Sequence, residues 1–446
     1  PAPPHPPPPL LAVSTPPRPA SSASNLFGRK ATQRPRFPSG SAATSSATTD
    51  AHFPTGRRLP AASTKWQPRG TVLAEVRAHD AGVRGLAASV DGRSIYTYGR
   101  GRGRMVKLWA LGSIERDKDH AVPLAAHGTD GDGGDIVAAV GCPGTSRDLA
   151  VAMSHGVIQV LAAERLGGAD AVAYQMRTAP ELGRIVAMGA RTGDAVAPLL
   201  YATESGALVA TDARSARNAW TLQLERRLGL LQTLEYDASG NWLVSASSSG
   251  RCTLWDVRYG VRLSTWSVGR RVHCASHVRL SETASPLLLL GTEGNAVEFW
   301  KLGESPQKSL ELSASADAVA TEHSVRAVLA SNDGGTLVTA STDRVLRCWN
   351  PMRSGAGADA RVLGREGGDT QPTFAWEVGA EGVRVLREAS LPAATDQIFA
   401  GGGRTRTLAA DGGESRAALT SAAFLGDAQS SLIAAGSLDG FVRFWR

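Results

Sequence analysis

The stretch VRAVLASNDGGTLVTASTDRVLRCWN, residues 325–350, contains the pattern that decides the fold. An apolar segment, VRAVLAS, is followed by the polar turn NDGGT, and a second apolar segment, TLVTAS, is followed by another turn. The third segment, VLRCW, ends on an aromatic residue. Short apolar segments separated by Asp, Asn and Gly are typical of antiparallel β-strands joined by tight turns. The stretch therefore predicts three consecutive strands of one small sheet.

The same pattern recurs along the chain. Segments that end on an aromatic residue, or on its equivalent, follow one another at intervals of 44 to 52 residues, with a longer interval of 96 before the last. These end positions are Trp109, Leu161, Thr211, Trp255, Trp300, Trp349 and Trp445. Most intervals lie at or slightly above the ~40–45-residue period of WD40 repeats, in which each repeat supplies the strands of one propeller blade. Seven repeats predict an all-β, seven-bladed WD40 β-propeller.

The last repeat raises the question of how its blade is completed. The final residues, GSLDGFVRFWR (436–446), supply a turn and a third strand, and no fourth strand follows. Residues 71–76, in the segment RGTVLAEVRAH ahead of the first repeat, form a predicted strand without an assigned partner. Pairing the two segments would remove two open sheet edges at once. We therefore expect an N-terminal strand to close the seventh blade.

Composition divides the chain near residue 65. Residues 1–65 hold 14 of the 24 prolines, eight basic residues and one acid, which accounts for the whole net charge of +7. This Pro/Ser-rich segment is typical of a disordered linker, although its arginines also resemble those of an organellar transit peptide. Because the chain begins with proline, we expect its true N-terminus to lie upstream.

The second region, residues 66–446, is the predicted propeller. It is neutral overall and offers no bulk electrostatic reason to bind nucleic acid. Residues 351–416 are rich in Gly and Arg and explain the one long interval between repeats. They are predicted to be an insertion between blades 6 and 7.

No motif in the sequence assembles a catalytic centre. The four cysteines form no C-x-x-C pair, which argues against a disulfide framework or a cysteine-rich zinc site. The Gly-rich YGRGRGR (98–104) has no phosphate-loop signature, and DGDGGD (130–135) lacks the spacing of a calcium loop. In HCASH (273–277), strand alternation places the histidines and the cysteine on opposite faces. We therefore expect no enzyme activity, metal or cofactor in this chain.

Polar residues in the last two repeats are predicted to brace their blades. WD40 blades often contain a buried hydrogen-bond chain of His, Ser or Thr, Asp and Trp. The sixth repeat has the full set, and the seventh a partial one: His323, Ser341, Asp343 and Trp349, then Ser437, Asp439 and Trp445. A buried, hydrogen-bonded imidazole in such a brace is a far commoner arrangement than a catalytic base. We therefore interpret these residues as structural.

One block of the sequence resembles a known family. Within residues 200–260, the run DARS is followed by NAWTL, LGLLQTL and LWDVRYG. This block resembles the C-terminal WD40 domain of the regulatory subunit of the class III phosphatidylinositol 3-kinase complex, a vacuolar-protein-sorting, protein-kinase-like scaffold. WQPRG (66–70) and TFAWEVGAEGVRVLREAS (373–390) are similar to further parts of that domain. The resemblance covers residues 66–446. The sequence departs from the family pattern in its weakly matched second repeat and at Thr211, where the family commonly has tryptophan.

The resemblance implies a scaffold without catalytic activity. Such a domain helps to hold the lipid-kinase catalytic subunit together with Beclin-type and autophagy coiled-coil subunits. The complex makes phosphatidylinositol 3-phosphate for autophagy and for endosomal or vacuolar sorting. The resemblance also implies an upstream serine/threonine-kinase-like domain and HEAT repeats in the parent protein. It further implies a cytoplasmic location, peripheral on endosomal and autophagosomal membranes, with membrane association only through the complex.

An alternative is a WD40 receptor that recruits a peptide or degron to a ubiquitin ligase, or a scaffold of another assembly. Both hypotheses require exposed residues that bind a partner, and such hot spots are often Trp, Tyr and Arg. The candidates are Arg258, Tyr259 and Trp266, which follow the third strand of the fourth repeat. Core packing explains Trp266 equally well. A propeller enzyme with a site in the central channel is disfavoured because no nucleophile or acid–base cluster is present.

Overall fold

The computed structural model describes only part of the chain, and every structural statement below concerns that part. The described residues are 72–99, 105–116, 121–128, 134–142, 144–190, 198–212, 217–225, 228–236, 241–278, 287–303, 305–313, 323–331, 336–349, 374–379, 382–388, 418–425 and 432–446. The predicted linker, residues 1–65, and most of residues 351–416 lie outside these ranges. No helix in the described ranges is long and apolar enough to cross a membrane.

Seven antiparallel sheets form the seven blades of a β-propeller, which confirms the predicted fold. The first strand of the chain, β1 (Val72–Arg77), belongs to the last blade. The strands of blades 1 to 3 are, in chain order, β2 (Val83–Ala88), β3 (Ser94–Gly99), β4 (Met105–Ala110), β5 (Ala125–Gly128); β6 (Ile136–Gly141), β7 (Leu149–Met153), β8 (Val157–Leu161), β9 (Val172–Arg177); and β10 (Ile185–Ala190), β11 (Leu199–Thr203), β12 (Ala207–Thr211), β13 (Asn218–Gln223).

Blades 4 to 7 follow in the same way. Their strands are β14 (Leu231–Tyr236), β15 (Trp242–Ser247), β16 (Arg251–Asp256), β17 (Val261–Ser267); β18 (Val272–Val278), β19 (Leu287–Thr292), β20 (Ala296–Lys301), β21 (Gln307–Ser313); β22 (Val325–Ala330), β23 (Leu337–Ser341), β24 (Val345–Trp349), β25 (Phe374–Gly379), β26 (Gly382–Glu388); and β27 (Leu419–Leu425), β28 (Leu432–Ser437), β29 (Phe441–Trp445). Between β4 and β5 lies a short helix, α1 (Leu111–Arg116), and two single 3-10 turns occupy Ala163–Arg165 and Pro180–Leu182.

The burial of each strand explains its sequence pattern. The middle strands are covered on both faces by neighbouring blades, so β7 (LAVAM) is apolar throughout, β11 (LLYAT) is apolar up to its last residue, and both are fully buried. The outer strands lie at the perimeter, and β13 (NAWTLQ) alternates between exposed and partly buried residues. The first strand of each blade carries a register shift between its first and third residues, a β-bulge that recurs in all seven blades.

Seven apolar clusters form the core, one at each interface between adjacent blades. The cluster between blades 7 and 1 joins Ile95 and Trp109 of blade 1 to Phe444 of blade 7. Between blades 6 and 7, Trp376 and Trp445 share another cluster. Because blade 7 packs on blade 1 as every other pair of neighbours packs, the ring is closed.

The predicted closure by an N-terminal strand is confirmed. Strand β1 pairs antiparallel with β29, so the seventh blade has the order β1-β29-β28-β27. The turn before β29 contains Gly440, whose φ of 91° and 1.9 Å approach of an added Cβ to the His79 carbonyl leave room only for glycine. The carbonyl of Gly440 accepts hydrogen bonds from the amides of Ala78 and His79, at 2.9 and 3.0 Å. The two ends of the propeller are therefore joined by backbone as well as by side chains.

A buried arginine fixes this closure. Arg443 is 2% exposed, and its Nε donates to Glu75 of β1 at 3.0 Å. Its other two nitrogens donate to Ser437 at 2.8 Å and Asp439 at 2.9 Å. A guanidinium with three hydrogen-bond acceptors is well satisfied in a buried site. The residues of the predicted seventh-blade brace are thus present, but they serve the closing strand.

The brace predicted in blade 7 differs in one further respect. Trp445 is fully buried, and its indole Nε1 has no hydrogen-bond partner among the residues that the structure describes. The strand position that faces this indole in other blades is occupied here by Ala435, which has no hydroxyl group. Ser437 and Asp439 hydrogen-bond to each other and to Arg443 rather than to the tryptophan.

The brace predicted in blade 6 is also corrected. Trp349 donates to Thr339 at 3.0 Å, two residues before the predicted Ser341. The side chain of His323 is exposed, and its backbone carbonyl accepts hydrogen bonds from the amides of Gly294 and Asn295.

Ser341 and Asp343 instead hold a residue of the preceding blade. Both bond to the side chain of Asn295, which donates to Asp343 at 2.8 Å and accepts from Ser341. Arg347 also donates to Asp343, at 2.6 Å. Asn295 is buried in the turn between β19 and β20, with a φ of 56°, so this network joins blades 5 and 6.

A His–Thr–Trp hydrogen-bond chain is present in blade 1, where the sequence was not expected to keep it. Nε2 of His79 lies 2.9 Å from the hydroxyl of Thr97, and Nε1 of Trp109 donates to the same hydroxyl at 3.0 Å. In blade 4, Trp255 donates to Ser245 at 3.0 Å in the same way. The sequence feature that indicates such a bond is a serine or threonine 10 or 12 positions before the tryptophan.

The predicted insertion, residues 351–416, supplies part of blade 6. Strand β25 is the fourth strand of that blade and β26 is a fifth, paired antiparallel with β25. Trp376 of β25 is buried in the core between blades 6 and 7. Blade 6 therefore draws its outer strands from within this segment.

Deletion of residues 66–78, which removes β1, is expected to lower the melting temperature by about 5–10 °C. The deletion exposes the edge of β29 and leaves Arg443 without Glu75. The measurement is a thermal melt followed by circular dichroism. Arg77→Gln, an exposed change on the same strand, is the control and should leave the melt within 1–2 °C of the parent. An unchanged melting curve after the deletion would contradict closure by β1.

Thr97→Val is expected to destabilise the propeller by about 2–4 kcal/mol, because two buried nitrogens, on His79 and Trp109, lose their shared partner. Denaturant unfolding measures the change. Ser264→Ala is the matched control, since the buried hydroxyl of Ser264 has no hydrogen-bond partner and its removal should cost almost nothing. Equal effects of the two changes would show that the brace does not contribute.

The stability of the propeller is expected to fall between pH 6.5 and pH 4 through His79. Burial, together with the nearby Lys107, lowers the pKa of His79 to about 4 from its ordinary value of 6.5. Between pH 6.5 and pH 4 the unfolded chain protonates His79 and the folded chain does not. The contribution of neutral His79 to the free energy of unfolding is therefore complete above pH 6.5 and is lost as the pH falls towards 4. Unfolding free energies of His79→Gln and the parent across this range provide the test. Over this pH range the free energy of unfolding of the variant should fall by about 2–3 kcal/mol less than that of the parent. Parallel curves would contradict the assignment.

Candidate partner-binding surface

The outer strand of blade 4 presents the most exposed apolar group of residues in the described chain. Seven large apolar residues in these ranges are at least 36% exposed, and three of them lie together: Tyr259 at 74%, Val261 at 46% and Leu263 at 47%. Isolated exposed apolar residues are ordinary, but neighbouring ones mark sites of protein–protein contact. We refer to Tyr259, Val261 and Leu263 as the blade 4 edge patch.

Strand pairing explains why these three residues are exposed. Strand β17 pairs only with β16 among the described strands, so its outer side is an open sheet edge. A bulge in β17 places Arg262 opposite Trp255 and Ser264 opposite Leu254, and Leu263 is the residue left without an opposite partner. A bulge turns a side chain out of the regular alternation. The patch therefore combines apolar side chains with unpaired backbone groups.

Blades 1, 2, 3 and 5 also end on a strand that has a single neighbour among the described strands, so an open edge alone does not distinguish blade 4. The outer strand of blade 6 is covered by β26, and the last blade ends on β1, whose apolar residues Ala74 and Val76 are buried. Native proteins usually protect or cover such edges because an open one invites pairing with another chain. The edge of blade 4 is distinguished by its exposed apolar side chains, which a bound partner would cover.

Arg258 and Tyr259 occupy the turn between β16 and β17. Arg258 donates two hydrogen bonds to Asp256, at 3.1 and 2.6 Å, and this arrangement lowers the pKa of the Asp256 carboxyl. The guanidinium carbon of Arg258 also lies 5.3 Å from the centroid of the Tyr259 ring. Cation–π contact and the bidentate ion pair hold the arginine in one position. The tyrosine remains exposed above it, as an anchor residue of an interface would be.

Trp266, the third sequence candidate, is partly buried and packs against the core. Its ring centroid is 5.8 Å from that of Trp300, and it packs against the apolar cluster between blades 4 and 5. Its indole Nε1 is buried. The structure thus brings Arg258 and Tyr259 together at the edge and assigns Trp266 to packing.

Two residues of the patch, Val261 and Leu263, were missed by the sequence reasoning. Both belong to the apolar positions of a strand pattern, which normally predict burial. The available signal was their place in the fourth strand of a repeat, since that strand lies at the perimeter of a blade. Only the pairing of strands shows that this perimeter is uncovered.

The flanks of the patch are charged but locally neutralised. Arg262 lies 3.5 Å from Glu225 of the preceding blade, and both side chains are about half exposed. Trp220 and Leu222, on the outer strand of blade 3, are partly buried against the core that lies between blades 3 and 4. The surface as a whole favours an apolar partner segment over a charged one.

The residues of the HCASH segment are not brought together as metal ligands. His277 bonds to Glu235 at 2.6 Å, Nδ1 of His273 lies 3.3 Å from Arg326, and Cys274 donates to the Val325 carbonyl. Within the described ranges, no group of three or more His, Cys, Asp or Glu side chains could hold a metal ion.

Comparison with known proteins agrees with this architecture. The family model for the WD domain, G-beta repeat, matches residues 230–256 and 316–350. The chain is similar to the serine/threonine-protein kinase VPS15 of Arabidopsis thaliana, with 26% identity over 253 residues, 53% of this chain and 16% of that protein. It is also similar to the probable serine/threonine-protein kinase vps15 of Dictyostelium discoideum, with 24% identity over 247 residues, 53% of this chain and 12% of that protein. The chain thus spans less than a fifth of the length of these curated relatives.

The matched repeats lie in blades 4 and 6, and the WD40 propeller is a non-catalytic fold. The similarity to the two kinases falls within the WD region. The seven blades, the matched repeats and this similarity together support a WD40 propeller that is similar to the WD region of VPS15 proteins.

Proposed function

We propose that this chain is a scaffold of a class III phosphatidylinositol 3-kinase complex and supports phosphatidylinositol 3-phosphate production in autophagy and endosomal or vacuolar sorting. The similarity to two VPS15 proteins supports membership of such a complex. The observation that carries the scaffold role is the blade 4 edge patch, an open apolar edge on a rigid ring. A surface of this kind can bind a partner without catalysing a reaction.

The proposed partners are the lipid-kinase catalytic subunit and Beclin-type or autophagy coiled-coil subunits. A long coiled coil or an apolar segment can lie along the perimeter of a propeller, because the outer strands are its most accessible part. The proposal includes a parent protein with an upstream kinase-like domain and HEAT repeats. It also includes a cytoplasmic location, peripheral on endosomal and autophagosomal membranes through the complex.

The triple change Tyr259→Ala, Val261→Asp and Leu263→Asp is expected to reduce recovery of the lipid-kinase subunits about tenfold or more, because interface anchors each contribute over 1 kcal/mol. The measurement is affinity purification of the tagged full chain from cells, with quantitative mass spectrometry of the recovered subunits. The melting temperature should change little, since all three side chains are exposed.

Val122→Asp is the matched control, because Val122 is 71% exposed but lies on blade 1, before β5. It should leave recovery of the subunits unchanged. Recovery of ubiquitin-ligase subunits in place of the lipid kinase would overturn the proposal in favour of the receptor alternative. Equal recovery with the triple variant and the parent would show that the partner binds elsewhere.

A further inference from the structure

A polar pocket lies at the other end of the blade 4 strands, where blade 4 meets blade 5. Its volume is about 430 Å³, and its lining residues are Ser248, Ser249, Gly269, Arg270, Arg271 and Glu293. They come from the turn between β15 and β16, the connection from β17 to β18, and the turn after β19. Gly269 has a φ of 80°, and a Cβ added to it would meet no atom within 4 Å, so the connection leaves the pocket open.

Arg270 is fixed in place by ion pairs that extend into blade 5. Its Nη1 donates to Glu311 at 2.9 Å, and Glu311 is also held by Lys308. Lys308 in turn bonds at 3.0 Å to Glu298, which is only 2% exposed. These cations lower the pKa of Glu311 even though its burial acts the other way. An arginine held in this way loses little side-chain freedom when it binds a ligand.

Further positive charge adjoins the pocket. Arg271 is exposed and forms no ion pair within the described ranges. Nη1 of Arg326, on the first strand of blade 6, lies 3.3 Å from Nδ1 of His273. Burial is the main reason that the pKa of His273 falls to about 4. Arg326 and Arg271 lower this pKa further, and Glu293 acts in the opposite direction. His273 is therefore neutral at pH 7 and lies in a positive local field.

We propose that this pocket binds an acidic side chain of an extended segment from a partner protein. Arg270 is paired with Glu311, and the Ser249 hydroxyl donates to the Leu228 carbonyl. Arg271 and Ser248 are therefore the lining groups whose donors and charge match a carboxylate, beside the single Glu293. The pocket is an open depression where two blades meet, and it is wide enough to admit a side chain of an extended segment. The inference is independent of the blade 4 edge patch and goes beyond the scaffold role.

The test is binding of the full chain to a fluorescein-labelled peptide that contains four consecutive glutamates, with the glutamine counterpart as the reference peptide. Arg271→Glu with Arg326→Glu is expected to raise the Kd about tenfold or more, because like charges then face the ligand. In the parent, the peptide should also raise the pKa of His273, measured by NMR titration of the imidazole and assigned with His273→Gln.

Arg184→Glu is the matched control, since Arg184 is exposed near the start of β10 and far from the pocket in the chain. It reverses one exposed positive charge, as each of the two changes at the pocket does, and should change the Kd less than twofold. This control is needed because residues 1–65 carry the whole net charge and would attract any acidic peptide. An equal loss in both variants, or an unchanged His273 pKa with peptide bound, would overturn the proposal. Binding that depends on Arg271 with phosphatidylserine vesicles but not with the peptide would also overturn it.

Discussion

The pairing of β1 with β29 is the constraint on which the rest of the propeller depends. A ring of blades is stable only if every blade is covered on both faces, and the last interface forms only when the two ends of the domain meet. The buried Arg443, which Asp439 of its own segment also holds, joins those ends through Glu75, where an unpaired charge would be costly. Once the ring is closed, seven similar apolar interfaces share the core.

Closure also decides which residues remain available for function. The inner strands of the blades are buried on both faces, so partners can reach only the outer strands and the turns at either end. Blade 6 covers its own outer strand with β26, and blade 7 ends on β1. Blade 4 keeps an open edge with Tyr259, Val261 and Leu263, and its opposite end forms a polar pocket with blade 5. The two candidate binding surfaces therefore differ in chemistry although they share one blade.

The hydrogen-bond braces show where sequence reasoning reaches its limit. Thr339 and Ser341 are two residues apart and so point to the same face of their strand, and alternation cannot separate them. The pairing register decides, because Leu337 lies opposite Trp349 and brings Thr339, not Ser341, within reach of the indole. Asn295 could not be assigned at all, since it reaches Ser341 across 46 residues from another blade.

The sequence by itself determined the strand pattern, the seven repeats and the need for a closing strand, because each of these depends on residues that are neighbours along the chain. The tertiary structure alone decided that Tyr259 is exposed while Trp266 is packed on Trp300, although both belong to similar strand patterns. It also decided which arginines gather around one pocket. Contacts between blades join residues about 50 positions apart, and no local pattern encodes which side chains will meet there.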